Sequence, residues 1–309
     1  MSARSELKKF DLKNLPTLDV AVLGALELLA EVESPKATVP FRRPLVIGSG
    51  NAEGTGRIIF KESDAVFADE SNYELALARV PDIDGVVLIS ASGGKHATGI
   101  AKHLSEKGTE VVLFTNNESA PARAFIPDEM VRVFPKNREP YTYNTSTYLA
   151  MIVSDSGEDP RAIAAFLDES VAPACDPKWK KYDAFTMIIP AACAELKPML
   201  RTKFDELFGS RVCGRIFAPE EMKHAKTVIP NENEAFIACG VDNASYGPVE
   251  NRFFVPLQEG GGYAAALAAT YFIVGRIQAM KPPYFKDNIE EYCRQASLLF
   301  GQPIDPIVE

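Results

Sequence analysis

Short apolar runs alternate with helical patterns along the first half of the chain. PLVIGSG (44–50), DAVFADE (64–70), GVVLISASGG (85–94) and EVVLFTN (110–116) each read as a strand that closes on small or polar residues. The stretches between them, 52–61, 72–80 and 95–107, read as helices. Strand–helix–strand spacing of this kind predicts right-handed βαβ units and a parallel sheet. VAVLGALELLAEV (20–32) predicts an amphipathic helix ahead of the first strand. A second round follows a helical stretch at 144–172, with DPKWKKYD (176–183) as a surface connection. AFTMIIPA (184–191) reads as a strand, 193–208 as a helix, and RVCGRIF (211–217), EAFIACG (234–240) and NRFFVPL (251–257) as further strands. YAAALAATYFIVGRIQAM (263–280) is apolar all round, which predicts a helix packed inside the protein rather than in a membrane. The expected architecture is α/β: two lobes, 1–155 and 156–309, each a mainly parallel flavodoxin-like or Rossmann-like sheet in a three-layer α/β/α sandwich.

Composition narrows the function. The 309 residues carry 33 basic and 42 acidic side chains, a net charge of -9, which argues against a general nucleic-acid binder. A small phosphorylated ligand stays possible, because its site needs only a few local donors. Five cysteines, at 175, 193, 213, 239 and 293, show no CxxC or CxH spacing, so neither a zinc framework nor a disulfide scaffold is expected. The N-terminal stretch lacks the apolar core of a signal peptide, and no window reaches 18 uninterrupted apolar residues. A reducing cytoplasm is the expected location, with neither membrane nor nucleic acid as partner.

In an open parallel sheet, ligands bind at the carboxyl ends of the strands. Three such ends carry small or hydroxylated residues: Gly48-Ser49-Gly50-Asn51, Ser90-Ala91-Ser92-Gly93-Gly94 and Thr115-Asn116-Asn117. Hydroxyls and bare N–H groups at helix N-termini hold phosphate without much net positive charge. A dinucleotide site competes. Gly48, Gly50 and Gly54 give GxGxxxG, and Asp69 at the next strand end is placed to hold a ribose. That reading, an NAD(P)-dependent oxidoreductase, gives Ser90 and Ser92 no task.

IGSGNAEGTG followed by LISASGGKHATGIAKHLSEKGTEVVLFTN resembles the SIS (sugar isomerase) domain. Ser90, Ser92, Gly93 and Thr98 fit its serine turn; Lys95 stands where the family usually has Thr and is placed to meet a phosphate as a point charge. LKPMLRTKFDELFGSRVCGRIFAPEEMKHAKTVIPNENEAFIACG resembles a second such domain, with Glu206 at its helix position and His224 in the turn that follows. Double-SIS chains of this length look most like bifunctional phosphoglucose/phosphomannose isomerases. The resemblance implies interconversion of glucose 6-phosphate or mannose 6-phosphate with fructose 6-phosphate by enediol proton transfer, with no metal or cofactor. Glu206 would be the base, His224 the ring-opening group, and Arg138 or Lys286 a stabilising cation. Gly48, Ser49, Gly50, Asn51, Ser90, Ser92, Gly93, Lys95, His96 and Thr98 would hold the sugar phosphate. The histidine often comes from the partner subunit in this family, which implies a homodimer with shared sites. His103 is expected at the surface, Thr145 as a helix N-cap, and Glu220 and Glu221 as turn acids. A non-catalytic module that senses a sugar phosphate is the remaining alternative.

Overall fold

The computed structural model describes residues 2–224, 229 and 231–309. Part of the second SIS-like segment, 225–228 and 230, lies outside the described residues. Two short helices, α1 (Ala3–Leu7) and α2 (Leu18–Leu29), lead into the first sheet. Its strands and helices alternate: β1 (Pro44–Ile47), α3 (Asn51–Ile59), β2 (Val66–Ala68), α4 (Tyr73–Arg79), β3 (Gly85–Ile89), α5 (His96–Glu106), β4 (Val111–Thr115) and β5 (Val131–Val133). The order is β2-β1-β3-β4-β5 and every pairing is parallel. β1, β3 and β4 are buried at every position. A sheet covered on both faces needs such unbroken apolar runs, and that is why these three strands were legible. The connections from β1 and β3 leave in opposite directions, which opens a crevice at their carboxyl ends.

A two-residue strand, β6 (Glu139–Pro140), precedes α6 (Thr145–Ser156) and α7 (Pro160–Phe166). α7 runs through a π-turn over Leu167–Val171 into α8 (Ala172–Ala174). The second sheet takes β7 (Ala184–Ile188), α9 (Lys197–Phe208), β8 (Cys213–Phe217), α10 (Pro219–Met222), β9 (Glu234–Cys239) and β10 (Arg252–Val255). Its order is β10-β9-β7-β8, again all parallel. α11 (Tyr263–Met280) matches the predicted bounds and is buried along nearly its whole length. Among the described residues no helix is long and apolar enough to cross a membrane. α12 (Tyr284–Phe300) then leads to β11 (Ile307–Val308), which pairs antiparallel with β6 and so returns the chain to the first sheet's side.

One apolar cluster runs from α2 through α6, α9 and α11 and takes side chains from both sheets. A second fills the far face of the first sheet under α4 and α5. The predicted surface connection at 176–183 is in part core. Trp179 is fully buried and meets Phe253 edge-on at 6.1 Å, while the flanking lysines stay outside. β5, β6, β11 and α12 had no counterpart among the predicted elements.

Candidate functional site

A cavity of about 700 Å³ opens at the carboxyl ends of β1, β3 and β4. Its opposite wall is built from the 141–144 loop, from Thr202 and Glu206 on α9, from Tyr292 and Phe300 on α12, and from residues 302–305 and 307–309. Of the sequence-predicted residues, Gly48, Ser49, Gly50, Asn51, Ser90, Ser92, Lys95, His96 and Glu206 all line it.

The first turn begins α3 with Gly50 as N-cap at φ 56°, ψ -119°, a conformation that glycine takes without steric cost. Ser49 donates to the Glu70 carboxylate. Asn51 is 7% exposed, and its Oδ1 has no hydrogen-bond partner among the described residues. In the second turn the Gly93 N–H donates to Ser90 Oγ (3.2 Å) and the Gly94 N–H to Ser92 Oγ (3.3 Å). Asn117 Nδ2 braces the turn by donating to the Ser92 carbonyl (3.0 Å). Both serine oxygens thus accept locally, and their O–H groups stay available as donors. Lys95, the N-cap of α5, reaches the Tyr141 hydroxyl at 3.1 Å and lies 4.1 Å from the centre of the Phe300 ring. Burial pushes its ammonium pKa down. The same cause pushes the Tyr141 hydroxyl up to about 12.

Across the cavity, Glu206 is 20% exposed and its Oε2 lies 2.9 Å from Nζ of Lys203. Lys203 is fully buried and also donates to the carbonyls of Thr142 (2.5 Å) and Tyr143 (2.9 Å). Burial pushes the Glu206 carboxyl pKa up; Lys203 opposes the shift and Asp205 adds to it. Asp205 itself points outward, as its place one step around the helix dictates. The loop that supplies the two carbonyls is anchored by buried Glu139, which accepts the N–H groups of Thr145 (2.7 Å) and Ser146 (2.8 Å). That carboxylate satisfies the first turn of α6, and Asn144 takes the N-cap position, so Thr145 is not the predicted N-cap. Thr142 sits at φ 76°, a costly conformation for a β-branched residue. Lys203 escaped the sequence reading, yet a signal was present. It shares a helix face with Met199, Leu200 and Leu207, all buried.

Five predicted residues lie elsewhere. Gly93, at φ 60°, backs onto Ala120 instead of the cavity, where a Cβ would stand 2.4 Å from that side chain. Thr98 turns its hydroxyl back to the Gly93 carbonyl (3.4 Å). Arg138 is drawn away by Glu309 (2.7 Å), by the Phe10 carbonyl (2.6 Å) and by the Phe10 ring beneath its guanidinium. His224 is exposed in the turn after α10 and does not line the cavity of its own chain. Lys286 belongs to a separate, smaller pocket. The cation beside Glu206 is therefore Lys203, not Arg138 or Lys286. Glu220 pairs with Lys223, and Glu221 pairs with Lys197 and caps α10 through the Ala218 N–H. Asp69, needed by the dinucleotide reading, is consumed by Ser71, whose N–H and hydroxyl it accepts. Lys136, not anticipated, also lines the cavity. Among the described residues no cluster of His, Cys, Asp and Glu is arranged to hold a metal ion.

No protein-family model and no curated protein matches the sequence. Solved structures do match in shape. The C-terminal domain of glucosamine-fructose-6-phosphate aminotransferase from Francisella tularensis superposes with a TM-score of 0.61 at 12% identity, covering 90% of this chain and 99% of that one. Tagatose-6-phosphate ketose/aldose isomerase from Escherichia coli gives 0.53 at 12% identity, with 91% of each chain covered. Glucosamine-6-phosphate deaminase from Thermotoga maritima gives 0.53 at 14% identity, covering 90% of this chain and 94% of that one. At these identities the similarity is one of fold: two parallel α/β sheets in sequence.

Proposed function

We propose that this chain is a sugar-phosphate isomerase that moves a proton between C1 and C2 of a hexose 6-phosphate. The reading rests above all on one observation: a carboxylate with raised basicity, Glu206, faces the same cavity as the Ser90 and Ser92 hydroxyls. Phosphate and base are then held apart by the walls of one cavity, as a linear open-chain sugar requires. The similar folds named above, a ketose/aldose isomerase among them, support the same class. On this reading residues 1–155 hold the anion and residues 156–309 bring the chemistry. Glu206 takes the proton from the carbon beside the carbonyl and returns it to the neighbouring carbon. Lys203, buried behind the cavity wall with its three donors taken, keeps the carboxylate aimed. The substrates in this reading are glucose 6-phosphate and mannose 6-phosphate, each interconverted with fructose 6-phosphate. The direct test is incubation with fructose 6-phosphate in deuterated water, read by NMR for aldose product and for exchange at the reacting carbon. A chain that binds the ester without exchange is a sensor module and not an isomerase.

Two further outcomes are expected. Replacing Ser90 and Ser92 with Ala raises KM far more than it lowers kcat, since each donor to a charged oxygen contributes about 1.5–3 kcal/mol. An unchanged KM in the double variant removes the serine turn from the site. In this reading the ring-opening imidazole is His224 of a second copy of the chain, as the SIS resemblance implies; within its own chain His224 is exposed and does not line the cavity. Mixing inactive Glu206→Gln and His224→Ala chains is then expected to restore part of the activity. If mixed dimers form by mass spectrometry and stay inactive, the assignment passes to His96, which lies in the cavity wall.

A further inference from the structure

Lys95 is kept in its place against several unfavourable terms. Its backbone stands at φ 53°, ψ -129°, nearly the values of Gly50 at the start of α3, in a region that a side chain enters only under strain. It places a cation at the N-terminal, positive end of the 11-residue helix α5. Its ammonium is half-buried and has no ion pair with a carboxylate among the described residues; its contacts are the Tyr141 hydroxyl and the Phe300 ring. Lys95 follows the serine turn directly in sequence, and its side chain lines the same cavity as Ser90 and Ser92. The helix pole and the lost hydration are both compensated once an anion occupies that turn.

Neutral hydroxyls and backbone N–H groups hold any tetrahedral oxyanion and read its shape more than its charge. An ammonium adds a Coulombic attraction that grows with the charge of the head group and is less screened where water is partly excluded. We propose that Lys95 makes this site selective for a dianionic head group, a phosphate monoester in preference to an isosteric sulfate ester. The inference rests on the sugar-phosphate reading of the cavity and sharpens it. A phosphate monoester carries about -1.5 to -2 charges near neutral pH, whereas a sulfate ester of the same tetrahedral shape carries a single one.

Calorimetric titration with glucose 6-phosphate and glucose 6-sulfate at pH 8 tests this. The wild-type chain is expected to bind the phosphate about 10- to 100-fold more tightly, the range of a charged hydrogen bond. Lys95→Met is expected to lose most of that gap, chiefly by weaker phosphate binding, and Lys95→Arg to keep it. Lys95→Gly relaxes the backbone, so it keeps the fold, and it is expected to behave as the Met variant does. A wild type with equal affinities, or a gap that survives in both the Met and Gly variants, overturns this inference and leaves the sugar-phosphate reading standing. A wild type that binds neither ester overturns both.

Discussion

Glu206→Gln is expected to bind fructose 6-phosphate nearly as the wild type does and to lose about 10²–10⁴-fold in kcat, the usual contribution of a general base. The amide keeps the size and one hydrogen-bond acceptor for Lys203, and it removes only basicity. Exchange of the substrate's C2 proton with deuterated solvent stops along with turnover. The pH profile carries an independent mark. Burial raises the Glu206 carboxyl above its ordinary value, with Lys203 opposing. The group works as a base only when ionised. Wild-type kcat/KM therefore falls as pH drops through that raised value, above the ordinary glutamate pKa of about 4.3. In the Gln variant this acid limb disappears. If the variant keeps its exchange rate, the base is another group, with Glu70 in the same cavity wall the first to test. If it loses binding instead, Glu206 is structural.

The largest stability effect is expected at Lys203. It is fully buried, and its three hydrogen-bond acceptors are Glu206 Oε2 and the carbonyls of Thr142 and Tyr143. Lys203→Met keeps much of the apolar stem and strands all three. Breaking a buried pair from one side typically costs about 3–5 kcal/mol, because the remaining charge is left without its partner. Denaturant unfolding at neutral pH measures it. The deficit has a defined pH dependence. Without the ammonium, the Glu206 carboxyl pKa in the folded chain rises further above its unfolded value. The neutral form is then favoured on folding, so the loss is greatest above that raised pKa and shrinks as pH falls through it. Adding Glu206→Gln to Lys203→Met is expected to recover part of the stability. A single Lys203→Met chain that loses less than about 1 kcal/mol, within the range of an exposed pair, would mean the pair does not hold the site together.

Much of the frame was readable because its signals are local. β1, β3 and β4 are unbroken apolar runs, and glycine and serine at their ends mark the turns that face the cavity. α11 carried its own boundaries, since Gly262 and Lys281 flank an apolar stretch buried on every side. What stayed hidden depends on partners far away in sequence. Arg138 looked free to serve a substrate, and only folding shows Phe10 and Glu309 beside it. Nothing local to Glu139 marks it as the carboxylate that satisfies the first turn of α6. α12 was obscured for a different reason. Leu298 and Leu299 near its end are 69% and 79% exposed, so its apolar positions do not all trace one buried face.

The pairing of β11 with β6 also bears on the order in which the molecule is made. The first sheet has all its strands once β5 has been synthesised, and its glycine and serine turns then have their whole sequence. The facing wall does not. It waits for Glu206, then for α12, and last for a two-residue strand that must find its place beside Glu139 and Pro140 across most of the second lobe. Contacts of such long sequence separation close late, because loop entropy is lost before they contribute anything in return. An emerging chain therefore closes this cavity only well after its first sheet has all its strands.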